Sequence, residues 1–232
     1  TGIEGLDRML RGGLIAGRPY SLVGGPGSGK SILAWQFLLE GVKKGDNALY
    51  ITLDEPHYEI RSNMDNISIN DERIKIMDLS PEDLFHEGDV SSLSFLETEL
   101  PEQIMKLRPV RVVLDSTTSI RALESDPVIA RRRILSLMKL LSEKEEEDPL
   151  HPPITSILIT EDDDLCNPVE SYLSRGVIRL HNSMVRSSRI RALVIEKMRG
   201  SDFDEQMRPI RIGNGGVRVE EGDTLIMSPD KV

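Results

Sequence analysis

Apolar and polar residues alternate with different periods along this chain, and each change of period marks an expected element. Ile3, Leu6 and Leu10 recur at helical spacing and stop at Gly12-Gly13, which predicts a short helix feeding the first core strand. That strand is the apolar segment around Tyr20, Leu22 and Val23. Glycines follow it, and a second helix then places Trp35, Leu38, Leu39 and Val42 on one face. Its exit through Lys43-Lys44 to Gly45 sets cations and a glycine where a helix C-terminus favours them. Asn47 to Leu53 reads as a buried strand ending in Asp54-Glu55-Pro56, and Pro56 opens a helix carrying Ile60 and Met64 to about Asn66.

Ile74 to Leu79 is a further strand, Ser80 to Ser94 shows no clear period, and Leu96 to Leu107 is helical. Val110 to Leu114 is a short apolar strand that carries an acid, Asp115, at its end. A long helix follows Pro127 with Ile134, Leu137, Met138 and Leu141 facing inward, and it gives way to a solvated charge run, Glu143 to Asp148. Ile154 to Thr160 is another buried strand; the acidic loop Glu161 to Asp164 then leads to a short helix near Pro168 to Leu173. From there Gly176 to Leu180, Arg189 to Met198, Ile210 to Ile212 and Gly216 to Val219 read as consecutive, largely antiparallel strands. The expected class is α/β: a mostly parallel sheet flanked by helices, with antiparallel strands at the C-terminal end. No repeat or linker divides residues 1–232, so one domain is expected.

Composition narrows the function. The single cysteine, Cys166, excludes an internal disulfide framework, and His57, His86, His151 and His181 are scattered at unrelated spacings rather than grouped as metal ligands. A net charge of −10 argues against a surface that collects nucleic acid as a whole, and few aromatic residues are present for stacking on single strands. No run of 18 apolar residues predicts a membrane span, and the chain opens at Thr1 without a signal-peptide pattern, so the expectation is cytoplasmic.

The sharpest chemical signal is SLVGGPGSGKSIL, Ser21 to Leu33, in which G-x-x-x-x-G-K-S stands between a strand and a helix. Gly24, Gly25, Gly27 and Gly29 permit positive φ and close backbone approach, so successive N–H groups can turn toward a phosphate. The expected nucleotide site is Gly25, Pro26, Gly27, Ser28, Gly29, Lys30, Ser31 and Ile32, with Lys30 on the β/γ oxygens of ATP and Ser31 on Mg²⁺. Asp115 ends a later strand where such a site needs its second metal-associated acid. Asp54 and Glu55 end a third strand, and a carboxylate there can orient and deprotonate the attacking water; the alternative is a pair of acids capping the helix after Pro56.

The segments TGIEGLDRMLRGGL, GGPGSGKS, YITLDEP, VVLDS, ILITE and EKMRGSDF, in this order, resemble the KaiC-like branch of the RecA superfamily of ATPases. The resemblance covers nearly the whole chain. It implies that Glu55 is the catalytic glutamate and that Asp54 takes the preceding place, where glutamate is usual. It also implies that Lys197 and Arg199 reach the γ-phosphate of a neighbouring subunit. Such proteins form hexameric rings, or filaments in the recombinase branch, with ATP between subunits. Phe203 stands where the family often has histidine, and Ile15 where it usually has proline. Ser187-Ser188 does not match the place of a KaiC phosphosite, so kinase activity has no counterpart in this pattern.

Two functions compete. The first is a ring-forming regulatory ATPase acting on an unidentified protein partner, with ATP or ADP at its subunit interfaces. The second is a RadA/RecA-paralogue-type DNA-binding ATPase. The loop EDDDLCNPVE carries five acids and no base, which repels phosphates, and Arg121 with the triplet Arg131 to Arg133 is the basic stretch left for DNA. The solvated side of a helix is the favoured reading of that triplet. A scaffold that binds ATP without hydrolysing it is disfavoured by Glu55, Lys197 and Arg199.

Overall fold

Short, continuously apolar runs with acids or glycine at their ends become parallel strands, because burial on both faces requires apolar side chains on both. A computed structural model describes residues 1–80, 92–142, 153–161, 169–185 and 188–220. Its strands are β1 (Pro19–Gly24), β2 (Ala48–Thr52), β3 (Lys75–Asp78), β4 (Arg111–Asp115), β5 (Thr155–Glu161), β6 (Gly176–Val185), β7 (Ser188–Met198), β8 (Arg208–Gly213) and β9 (Gly216–Val219). They form one sheet in the order β3-β2-β4-β5-β1-β6-β7-β8-β9. From β3 to β6 every neighbour is parallel, and from β6 to β9 every neighbour is antiparallel.

The helices are α1 (Glu4–Met9), α2 (Lys30–Lys44), α3 (His57–Asn66), α4 (Ser92–Leu107), α5 (Thr117–Leu123), α6 (Pro127–Leu140) and α7 (Val169–Leu173). Strand periodicity sorts the side chains between two layers. Tyr50 and Val113 join Leu33, Trp35 and Leu38 of α2, whereas Leu49, Ile51, Val112 and Leu114 join Leu100 of α4, Ile120 of α5 and Leu137 of α6. Asp115 shares the parity of Val113, so it emerges on the α2 side of the sheet.

Three expectations change in detail. Gly176 to Leu180 is the start of a longer strand that is parallel to β1 and antiparallel to β7, running on to Val185. The apolar run stops at Leu180 because the rest is a two-stranded ribbon beyond the buried sheet, where His181, Asn182 and Ser183 need no apolar cover. Helix α2 is buried from Leu33 to Phe37 and Leu38, far more than one stripe. The late strands cover it: Gln36 accepts from Val217 N at 2.7 Å and donates to the carbonyls of Gly215 and Val217. Helix α5 was not distinguishable as an element before Pro127, because only Thr117 and Ile120 in it are buried. Helix α6 is capped by Asp126, whose side chain accepts from Val128 N at 2.8 Å.

The aperiodic stretch at 81–91, the charge run from Glu143, Asp162 to Asp164, Cys166, His86, His151 and Ser187 lie outside the described residues. Among the described residues no helix is long and apolar enough to cross a membrane.

Candidate functional site

Register brings the carboxyl ends of four parallel strands together. Gly24 of β1 is level with Glu161 of β5, and Thr52 of β2 is level with Asp115 of β4. Ligand sites in open parallel sheets form at this edge. Here Pro26, Gly27, Lys30, Ser31, Asp54, Glu55, Asp115 and Ile32 line a cleft of about 720 Å³.

The glycine loop takes its shape from specific positions. A Cβ on Gly24 would meet the Leu180 carbonyl oxygen at 2.5 Å, and Gly29 has φ +104°, in the left-handed region, with Ile212 closing the space a side chain would need. Glycine at that N-cap leaves no side chain competing for the first N–H groups of α2, whose positive end faces the cleft. Ser28 is wholly buried. The loop is also gripped from outside: Asn182 Nδ2 donates to the Pro26 carbonyl and Arg191 Nε to the Gly27 carbonyl, each at 2.9 Å. Lys30, 8% exposed, donates to the Gly25 carbonyl at 3.1 Å and lies 3.6 Å from Glu161 Oε1.

Ser31 Oγ donates to Asp115 Oδ2 at 2.8 Å, and the Tyr50 hydroxyl donates to the same oxygen at 2.5 Å. Burial pushes the Asp115 carboxyl up; the donors Tyr50 and Ser31 pull it down, and the charge of Asp54 adds to the rise. Burial, and then the Asp115 carboxylate, hold the Tyr50 hydroxyl well above its ordinary value, so it stays protonated and remains a donor.

Asp54 and Glu55 are exposed at the cleft mouth in a bend after β2. Thr52 Oγ1 fixes that bend, accepting from Glu55 N at 3.2 Å and donating to the Glu55 carbonyl at 2.8 Å. Asp54 accepts from Ser119 at the start of α5. Partial desolvation raises the Glu55 carboxyl, and the charges of Asp115, Glu59 and Asp54 raise it further. Neither acid caps α3 in the way the alternative reading required: the N-cap is Pro56 without a side-chain bond, and His57 N donates to Asp78.

Lys197 and Arg199 do not join this cleft. Lys197 Nζ donates to the carbonyls of Ser171 and Tyr172 at 2.8 and 2.9 Å, and Arg199 donates to the Tyr172 carbonyl at 3.3 Å, so both close the end of α7. The neighbouring acids are taken by other cations, Glu196 by Arg179 and Asp202 by Arg11. Burial lowers the Lys197 ammonium, and the nearby Arg199 and Arg175 lower it further. Phe203 packs against the core on the α2 side. Of the basic stretch considered for DNA, Arg121 is paired with the wholly buried Glu170, and Arg133 lies 3.1 Å from Glu97 and 3.6 Å from Glu124.

Sequence reasoning did not single out Tyr50, Ser119, Glu161, Asn182 or Arg191 as neighbours of the site. Glu161 had a usable signal, since it ends an apolar strand just as Asp115 does; the others depend on register and on the ribbon, which no local pattern carries.

A glycine loop between the first strand and α2, at the carboxyl edge of this sheet, defines a RecA-superfamily P-loop ATPase fold. The family model described as "ATPase: KaiC" matches residues 1–224. The chain therefore belongs to the KaiC ATPase family. It is 29% identical over its whole length to a UPF0273 protein of Aeropyrum pernix, covering 94% of that protein. It is 32% identical over 94% of its length to the circadian clock oscillator protein KaiC of Picosynechococcus sp., of which it spans 43%. Among solved structures, a KaiC-like protein of the archaeon Pyrococcus horikoshii matches with a TM-score of 0.75 and 26% identity, covering 94% of this chain and 96% of that one.

Proposed function

We propose that this protein binds ATP with Mg²⁺ in the cleft and hydrolyses it. The observation that carries the reading is the 2.8 Å bond from Ser31 to Asp115, two residues 84 positions apart that meet beneath the glycine loop. An oxygen pair in that place suits a hard cation that takes one or two protein ligands and completes its shell with phosphate and water. When bound, Mg²⁺ supplies charge neutralisation at the β- and γ-oxygens.

The chain's own groups do the rest. Backbone N–H groups from Gly25 to Ile32 hold the phosphates, and Lys30 adds a charge at the β/γ oxygens. Glu55 accepts a proton from the water that attacks the γ-phosphorus, while Asp54 steadies the bend through Ser119. Lys197 and Arg199 act on ATP held by the adjacent subunit of a ring, which makes the protein a regulatory ATPase with interfacial sites. Their location at the end of the sheet away from the loop supports a role outside their own cleft. Phosphate release, together with particle mass under ATP and under ADP, tests this. A ring with Glu55-dependent release is expected; a monomer that releases phosphate at the full rate overturns the interfacial part, and no release overturns the hydrolysis.

A further inference from the structure

Tyr50 is a polar residue at a core position. It lies in the middle of β2, 1% exposed, with its ring 5.6 Å from that of Trp35 and tilted by 52°. Burial of this ring needs no hydroxyl: a phenylalanine would fill the same space, and the buried O–H instead demands a partner. The partner is the metal-associated acid. Parallel pairing sets Tyr50 beside Val113 on the α2 side, and the next residue of β4 on that side is Asp115. The hydroxyl reaches Oδ2 of Asp115, the same oxygen that receives Ser31 Oγ from the other direction.

Two donors anchored on different elements, one on a rigid ring in β2 and one on the first turn of α2, converge on one oxygen. Rotation of the carboxylate about its last torsion would break both bonds. A carboxylate as partly buried as Asp115 is also costly without donors, and a fixed aromatic O–H offsets that cost while losing little side-chain entropy. Partners of this kind orient ligands of a metal and commonly change metal affinity by about 10- to 100-fold when removed.

We infer that Tyr50 is a positioning residue for magnesium, holding Asp115 in the orientation in which it and Ser31 share a cation with the nucleotide. The inference rests on the reading of Asp115 as the metal-associated acid. Its consequence is specific: Tyr50 affects the part of nucleotide binding that depends on Mg²⁺, and not the part that depends on the loop and Lys30.

The test is calorimetric titration of the whole protein with ADP, in EDTA and across a series of Mg²⁺ concentrations. For Tyr50→Phe the affinity in EDTA is expected to equal that of the wild type, and the Mg²⁺ concentration giving half of the metal-dependent gain is expected to rise about 10-fold or more. Tyr50→Met, which fills the slot with an adaptable apolar chain, gives the same reading if the phenylalanine variant does not fold. Asp115→Ala identifies which idea fails. Loss of the Mg²⁺ gain in Asp115→Ala with a wild-type midpoint in both Tyr50 variants overturns the inference alone. An intact Mg²⁺ gain in Asp115→Ala overturns the site reading and this inference with it. A lower melting temperature in the Tyr50 variants with an unchanged Mg²⁺ midpoint means that the hydroxyl is structural only, and also overturns it.

Discussion

Lys197 and Lys30 stand at opposite ends of the same strands. Lys197 is level with Val177 of β6, which is level with Ser21 near the start of β1, whereas Lys30 follows the loop that leaves β1 at Gly24. Roughly 10 Å of strand and then the loop itself separate the two levels. Within one subunit the two cations therefore cannot converge on one phosphate without rebuilding the sheet, and each belongs to a different question about function.

For Lys30 the question is binding. Lys30→Ala should abolish nucleotide binding at micromolar concentration and leave the fold intact. The fold should survive because the partner acid, Glu161, is 45% exposed and is not stranded as a buried charge when the ammonium goes. Calorimetry with ATP and a circular-dichroism melt check both halves; undiminished affinity would remove the loop from the site.

For Glu55 the question is proton transfer. Glu55→Gln should lower hydrolysis by about 10²- to 10⁴-fold with ATP affinity little changed, and Asp54→Asn should do less. The pH profile is a separate check. The raised Glu55 carboxyl gains its proton at a higher pH than an ordinary glutamate, so the acid limb of kcat/KM should lie at higher pH than an ordinary glutamate would place it. Asp54→Asn removes one of the charges that raise it and should shift that limb to lower pH. The stability sign runs the other way. A carboxyl raised in the folded state opposes folding once ionised, so stability falls as pH rises between the ordinary and the raised value. Glu55→Gln should accordingly melt no lower than wild type at pH 7.

Much of this site was visible in the order of residues, because it depends on local pattern: a strand, a glycine loop and a helix around Lys30, and apolar strands closed by Asp54-Glu55 and Asp115. What local pattern cannot carry is pairing between distant segments. That Tyr50 meets Asp115, that Ser119 meets Asp54, and that Asn182 and Arg191 grip the loop all follow from register and from the length of the β6–β7 ribbon. The burial of α2 exceeds what its own pattern implies for the same reason, since its cover of Val217 and neighbours arrives 181 residues after Gln36. Lys197 and Arg199 were expected to address one anion on a neighbouring subunit; within this chain both donate to the Tyr172 carbonyl.

Arg121 and Glu170 tie α5, which follows β4, to α7. Glu170 is wholly buried, and among the described residues its Oε1 has no hydrogen-bond partner, so Arg121 bears most of the compensation for its charge. Arg121→Ala should destabilise the protein by about 3 kcal/mol, because the carboxylate is left buried and unpaired. Adding Glu170→Gln should recover part of that loss by removing the charge. Chemical denaturation of the single and double variants measures both, and a single variant within 0.5 kcal/mol (roughly the range of ordinary surface substitutions) would show that water reaches Glu170.

The last prediction concerns Arg199. Its own chain uses it, with Lys197, to close α7, a modest role in which the exposed guanidinium shares a carbonyl already bonded to Lys197. If that were its whole role, Arg199→Ala would change stability slightly and leave hydrolysis alone. If the arginine completes the site of an adjacent subunit, removing it should lower hydrolysis by about 10³-fold while ATP binding persists, as with arginine fingers. Mixing experiments separate action in trans from an indirect effect through α7. Arg199→Ala subunits retain Glu55, and Glu55→Gln subunits retain Arg199. Each alone should be nearly inactive, and mixed assemblies should regain part of the wild-type rate, because some interfaces then pair an intact Glu55 with an intact Arg199. Subunit exchange has to be followed independently, for example by energy transfer between labelled chains. Recovery after exchange places the arginine on its neighbour's nucleotide; no recovery after confirmed exchange means that it acts within its own chain or only as the closure of α7.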